Sequence, residues 1–343
     1  MIKNSSNLIF LFSMILGTLI SISSNSWLGV WMGLEINLLS FIPLMVNVNN
    51  LMSTEASLKY FLTQAFASSI LLFSMILTMM IYNLNYQFND YSLMSILMLI
   101  PLLIKSGVSP FHFWFPNVIE GMNWMPSLIL MTWQKIAPML IISYLMVFNY
   151  LFFFIIVSVI TGAIGGLNQT SIRKIMAFSS INHLGWMLSA MMFNEYLWMF
   201  YFLIYSFISL GLILLFNQFK LFYLNQLFNL FSHSFILKFS LLVSFLSLAG
   251  LPPFLGFLPK WMVIQSLSNI NQYSLIMIMI LMSLVTMYFY LRICFSAFML
   301  SYKEMTWNNQ FFYSKTSFLI MGLMLFSSIM GLFIFINMIY LFY

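Results

Sequence analysis

The sequence predicts an all-α polytopic membrane protein of about eleven transmembrane helices, two of them discontinuous, arranged as inverted five-helix repeats plus a C-terminal helix. Three observations carry that prediction. Of the 343 residues 63% are hydrophobic and only 5% are charged, with a mean hydropathy of +1.02. That is more apolar surface than one soluble core of this length can hide. Apolar stretches of about 20 residues, the length that crosses a hydrocarbon layer, recur throughout. Short polar breaks separate them, such as Asn47 to Thr54, Asn83 to Asp90 and Asn217 to Asn225. Finally, two stretches are too long for one straight crossing and carry proline and glycine inside. No segment remains for a water-soluble catalytic domain.

The expected spans are 7–24, 27–47, 57–82, 91–120, 125–145, 148–168, 174–193, 196–219, 235–268, 273–299 and 316–341. They group into a first repeat unit over 1–145, a second over 146–300, and a loop with the last helix over 301–343. An odd number of crossings sorts the charges. One side then carries Lys3, Lys59, Arg173, Lys174, Lys220, Lys238, Lys303 and Lys315, and the other carries Asp90 and Glu195. By the positive-inside rule the basic side, which holds the N-terminus, faces the cytoplasm or mitochondrial matrix. Methionine (31) and phenylalanine (39) are abundant while arginine occurs only at Arg173 and Arg292, a bias expected of an A+T-rich code such as that of animal mitochondria.

Some chemistry is excluded. The single cysteine, Cys294, permits neither a disulfide framework nor a cysteine-ligated iron–sulfur cluster. The run Gly162-Ala163-Ile164-Gly165-Gly166 closes a membrane span and lacks the spacing and strand context of a nucleotide cradle.

Against this background Glu35, Lys105, Lys135 and Lys260 stand out, each inside an apolar stretch. An ionisable side chain at the bilayer centre costs about 2.5–3.5 kcal/mol on insertion scales, so such residues mark ion or proton paths. Snorkelling to the headgroups explains Lys59 and Lys238 but not Lys135, which has apolar residues on both sides. His183 is a candidate for the same polar axis or an interhelical hydrogen-bonding residue. Arg292 is a candidate for the axis or a structural anchor, and His112 and His233 lie nearer the interfaces.

The two long spans break at comparable places. After Lys105 comes Ser106-Gly107-Val108-Ser109-Pro110, and the ninth span reads Gly250-Leu251-Pro252-Pro253 ahead of Lys260. Proline removes a backbone donor and glycine weakens the helix, so carbonyls beside Lys105 are expected to be freed. A proline kink alone is more often structural than functional. Paired breaks in two halves, however, point to a transporter built from repeats. Pro110 to Pro252, Glu35 to His183 and Lys135 to Arg292 are each about 150 residues apart, the offset of such a repeat.

Several motifs together carry a resemblance. Trp31-Met32-Gly33-Leu34-Glu35-Ile36-Asn37, Glu55-Ala56-Ser57-Leu58-Lys59-Tyr60-Phe61, Lys105 before Ser109-Pro110-Phe111-His112-Phe113-Trp114-Phe115-Pro116, and Gly250-Leu251-Pro252-Pro253 before Lys260 follow in order. The chain resembles the antiporter-like subunits of respiratory complex I over nearly its whole length, in the eleven-helix form of animal, and most of all insect, mitochondria. The resemblance implies that Glu35 and Lys105 form a carboxylate–lysine pair on adjacent helices. It makes Lys135 the central connecting lysine and Lys260 the lysine of the second broken helix, near the exit. Many relatives carry Glu after Pro116, whereas this chain has Asn117, with Glu120 one turn on.

The resemblance also implies a place in the mitochondrial inner membrane, with the N-terminus in the matrix and the C-terminus in the intermembrane space. The partners are the other membrane-arm subunits and the lipid bilayer, with no nucleic acid. NADH, FMN, iron–sulfur clusters and ubiquinone would belong to partner subunits, and this chain would bind no cofactor or metal. Moving a proton against about 200 mV costs roughly 4.6 kcal/mol. At about 1.36 kcal/mol per pKa unit, a swing of about three to four units between two states of a buried lysine suffices. A moving carboxylate charge can drive that swing. Two competing readings are a structural scaffold subunit of the membrane arm and a stand-alone cation/proton antiporter.

Overall fold

The structure, a computed structural model, describes residues 5–47, 49–84, 91–145, 148–231, 235–296, 319, 322–323 and 325–333. In chain order the helices are α1 (Ser5–Ser23), α2 (Trp27–Met45), α3 (Leu51–Leu84), α4 (Tyr91–Ser106), α5 (Trp114–Gly121), α6 (Trp124–Met131) and α7 (Trp133–Leu145). There follow α8 (Phe148–Gly166), α9 (Ile172–Met191), α10 (Glu195–Phe219), α11 (Leu224–Phe231), α12 (Phe235–Ala249), α13 (Phe257–Asn269) and α14 (Tyr273–Phe295). Among the described residues the extended pairing is a single bridge between Ser171 and Tyr223. Lys3, Asp90, His233 and the 301–318 segment with Lys303 and Lys315 lie outside the described residues. Of the expected last span, 316–341, only the helical pieces up to 333 are described.

Six described stretches are long and apolar enough to cross a membrane by themselves: Ser5–Ser23, Trp27–Met45, Leu51–Met80, Trp124–Leu145, Glu195–Phe219 and Tyr273–Phe295. The chain is a multi-pass membrane protein. The other expected spans are shorter or more polar helices: α4 with α5, α8, α9, and α12 with α13. Outward faces are apolar, with Phe12, Leu16, Leu62, Phe66, Leu203 and Leu284 exposed. This is the surface a helix presents to acyl chains. Serines and threonines inside the helices return their hydroxyls to carbonyls three residues back, as Ser21 does to Thr18, Ser74 to Leu71 and Ser179 to Met176. A hydroxyl bonded in this way does not leave its hydrogen facing hydrocarbon.

Two compact units divide the chain inside α8, Met1–Val157 and Ser158–Tyr343. In the first, α2 packs against α1 and α3, α3 against α4 and α5, and α4 against α7. In the second, α9 is buried over almost its whole length, and α9, α10, α12, α13 and α14 pack on one another.

Both breaks use the same backbone device. Gly107 takes φ +77° and Gly250 takes φ +79°, the left-handed region glycine enters without penalty. After each, an amide reaches back to the sixth carbonyl: Val108 to Leu103 at 3.1 Å and Leu251 to Leu246 at 3.3 Å. This closes the helix end in a Schellman turn. Pro110 sits in the turn between α4 and α5, and Pro252 and Pro253 in the turn between α12 and α13.

The fifth span, read as continuous, is interrupted at Thr132, between α6 and α7. Thr132 returns its hydroxyl to the Leu128 carbonyl at 2.7 Å, a bond that bends helices.

Candidate functional site: buried lysines at helix breaks

In the first unit Lys105 ends α4 and is only 7% exposed. The carbonyls beside it, expected to be free, are taken: Trp114 Nε1 donates to the Ile104 carbonyl at 3.1 Å and the Gln64 amide donates to the Lys105 carbonyl at 3.3 Å. The lysine's own Nζ is buried without a hydrogen-bond partner among the described residues. Glu35, half-buried on α2, acts on it electrostatically without forming an ion pair. Lys59 forms an ion pair with Glu55 at 2.6 Å, at an exposed position of α3.

Beside Lys105 lies a cavity with about 10 Å³ of room for the centre of a water molecule. Leu34, Asn37, Leu38, Tyr60, Gln64, Gln134 and Pro138 line it together with the lysine. Across its wall the Gln134 amide donates to Asn37 Oδ1 at 3.0 Å, tying α7 to α2. One residue on, Lys135 is 1% exposed, with its Nζ 5.1 Å from the centroid of the Phe115 ring. A cation over a ring face is stabilised where water is excluded. His112 is buried and shares a 2.8 Å hydrogen bond with Ser109, while Asn117 is exposed and Glu120 half-buried.

In the second unit the lysine stands on the other side of the break. Lys260, 4% exposed on α13, reaches back and donates to the Ala249 carbonyl at 2.7 Å. The negative end of α12 thus receives an ammonium. Its Nζ also lies 5.5 Å from the Trp186 ring centroid. His183 is buried on α9, with Nδ1 2.8 Å from the Tyr201 hydroxyl and its ring 4.9 Å from that of Tyr205. Asn182 Oδ1, Trp186 Nε1 and Trp198 Nε1 are buried without hydrogen-bond partners among the described residues. Arg292 lies exposed towards the C-terminal end of α14.

The structure therefore gathers Lys105 with three amide side chains that do not stand out in the sequence, Asn37, Gln64 and Gln134, while Glu35 lies outside this cavity's lining. It also surrounds His183 with tyrosines. No group of three or more histidine, cysteine or acidic side chains that could hold a metal occurs among the described residues.

A family model described as NADH:quinone oxidoreductase/Mrp antiporter, transmembrane, matches residues 24–286, a stretch that includes both helix breaks. The chain belongs to that family. Within it, the chain is 60% identical over 307 residues to NADH-ubiquinone oxidoreductase chain 2 of Anopheles gambiae, covering 89% of each. It is 58% identical to the Aedes aegypti chain 2 over 99% of each, and 46% identical to that of Locusta migratoria over 90% of each. The fold is shared with a chain of respiratory complex I from Thermus thermophilus, with TM-score 0.80 and 24% identity over 94% of this chain and 78% of that one. It is shared also with a chain of the Mrp complex from Dietzia, with TM-score 0.71 and 19% identity over 84% of this chain and 59% of that one.

Proposed function

We propose that this family member is a proton-translocating, antiporter-like membrane subunit of NADH:ubiquinone oxidoreductase in the mitochondrial inner membrane. The observation that carries the reading is Lys105, buried beside a small polar cavity and within reach of the Glu35 field, its Nζ without a hydrogen-bond partner among the described residues. A charge so placed costs too much to be kept for packing alone, and its proton occupancy answers to any movement of the carboxylate. Lys135 and Lys260 supply further proton-binding positions, and His183 with Tyr201 a polar site inside the second unit.

Protons load from the matrix and leave on the opposite side, driven by redox events in partner subunits of the membrane and peripheral arms. Those partners hold the NADH, FMN, iron–sulfur and ubiquinone sites. Eleven crossings put Lys59, Arg173, Lys174, Lys220 and Lys238 with the N-terminus on the matrix side. The matching Gly107 and Gly250 turns support two five-helix repeats of inverted topology, over 1–145 and 146–300.

Mild-detergent solubilisation of the source membrane, followed by native separation, tests the assignment. The chain is expected in a very large particle that oxidises NADH with a quinone acceptor. Migration as a small, redox-silent species would overturn it in favour of a stand-alone antiporter.

A further inference from the structure

We propose that Asn37 and Gln134 are positioning residues for Lys105, their amide–amide hydrogen bond across α2 and α7 holding one wall of a cavity in which a single water molecule accepts from the lysine Nζ. The inference rests on the proton-path reading above. An ammonium carries three donors, and none of those on Lys105 meets a described protein acceptor. A cavity of about 10 Å³ opens beside it, room for about one water, and a buried water persists only with two to four polar partners.

The lining supplies them: Asn37, Tyr60, Gln64 and Gln134 surround the space. Two of these amides are already committed in one direction. Gln64 spends its NH2 on the Lys105 carbonyl, and Gln134 spends its NH2 on Asn37 Oδ1. Both therefore keep a carbonyl oxygen to accept from a water. Were Gln134 turned over, it would offer N–H groups to a water that must already accept from an ammonium. Asn37 Oδ1 prevents that turn, so the residue acts through Gln134 and not by touching the proton. The same bond fixes α7 one residue before Lys135, which ties the two lysines of this unit to one amide pair.

The test uses the whole complex in sealed vesicles, comparing Asn37→Leu, the reciprocal swap Asn37→Gln with Gln134→Asn, and Lys105→Met. Protons pumped per NADH and the pH profile of pumping are read alongside NADH oxidation. Asn37→Leu is expected to lower the ratio and shift the profile in fully assembled complex, and the swap, which keeps a donor and an acceptor over the same span, to restore both. An unchanged ratio and profile for Asn37→Leu, with loss for Lys105→Met, overturns the positioning role and leaves the proton path standing. No loss for Lys105→Met overturns the reading beneath it. Should Asn37→Leu fail to assemble, a high-resolution map of the native complex decides. Density for a water within hydrogen-bond distance of both Lys105 Nζ and the Gln134 amide supports the proposal. An empty cavity in a map that shows other buried waters overturns it.

Discussion

Gly250→Ala should uncouple the second broken helix from its lysine. At φ +79° an alanine sits in the left-handed region, at a cost of about 1–2 kcal/mol. Its methyl would also lie 2.8 Å from Lys260 Cδ and 3.1 Å from Cε and Nζ. Carbon atoms rest at about 3.5–4.0 Å, so the lysine stem must shift by roughly 1 Å. That shift draws the ammonium off the Ala249 carbonyl, now 2.7 Å away. A hydrogen bond to a charged group contributes about 1.5–3 kcal/mol, so the variant loses about 2.5–5 kcal/mol if both effects act in full. Thermal inactivation of purified complex reads the stability, and protons pumped per NADH in vesicles reads the function. Gly322→Ala, where an added methyl meets nothing within 4 Å, is the control. Both quantities should fall for Gly250→Ala only. Equal behaviour of the two variants would refute the claim that this turn and Lys260 form one device.

Three further outcomes are expected. Lys135→Arg keeps the charge but not the exchangeable proton, since a guanidinium stays protonated with pKa above about 12, and pumping per NADH should fall where a static ion pair would be unaffected. Gly33→Ala places a methyl 2.5 Å from Ser21 N and 2.8 Å from the Gly17 carbonyl, forcing α1 and α2 apart. Overpacking of this kind costs about 1–3 kcal/mol, visible as a lowered inactivation temperature. Tyr201→Phe removes the 2.8 Å bond to His183, worth about 1 kcal/mol, and should shift the pH profile of pumping if His183 carries protons.

Much of this was legible in the sequence for a physical reason: a charge inside an apolar run is expensive, so Lys105, Lys135 and Lys260 announce themselves wherever the helices end. The breaks were legible too, because Gly107 with Pro110 and Gly250 with Pro252 and Pro253 can hardly continue a helix. Thr132 was not, because a hydroxyl turning back to Leu128 does not stop a helix by itself and leaves no mark in the sequence pattern. The amides of Asn37, Gln64 and Gln134 were passed over because a neutral amide in an apolar span is a weaker signal than a charge. Only the packing of α2, α3, α4 and α7 shows that they converge. Nor could spacing tell that the two lysines meet their breaks from opposite sides, Lys105 from the helix before the turn and Lys260 from the helix after it.

In the proposed function a buried lysine, not a partner's redox centre, carries protons through this chain. The number of protons pumped per NADH by intact complex bearing Lys105→Met, with assembly and NADH oxidation measured in the same preparation, tests it most directly. A lowered ratio in fully assembled complex is predicted; a ratio equal to that of the unaltered complex would contradict the account.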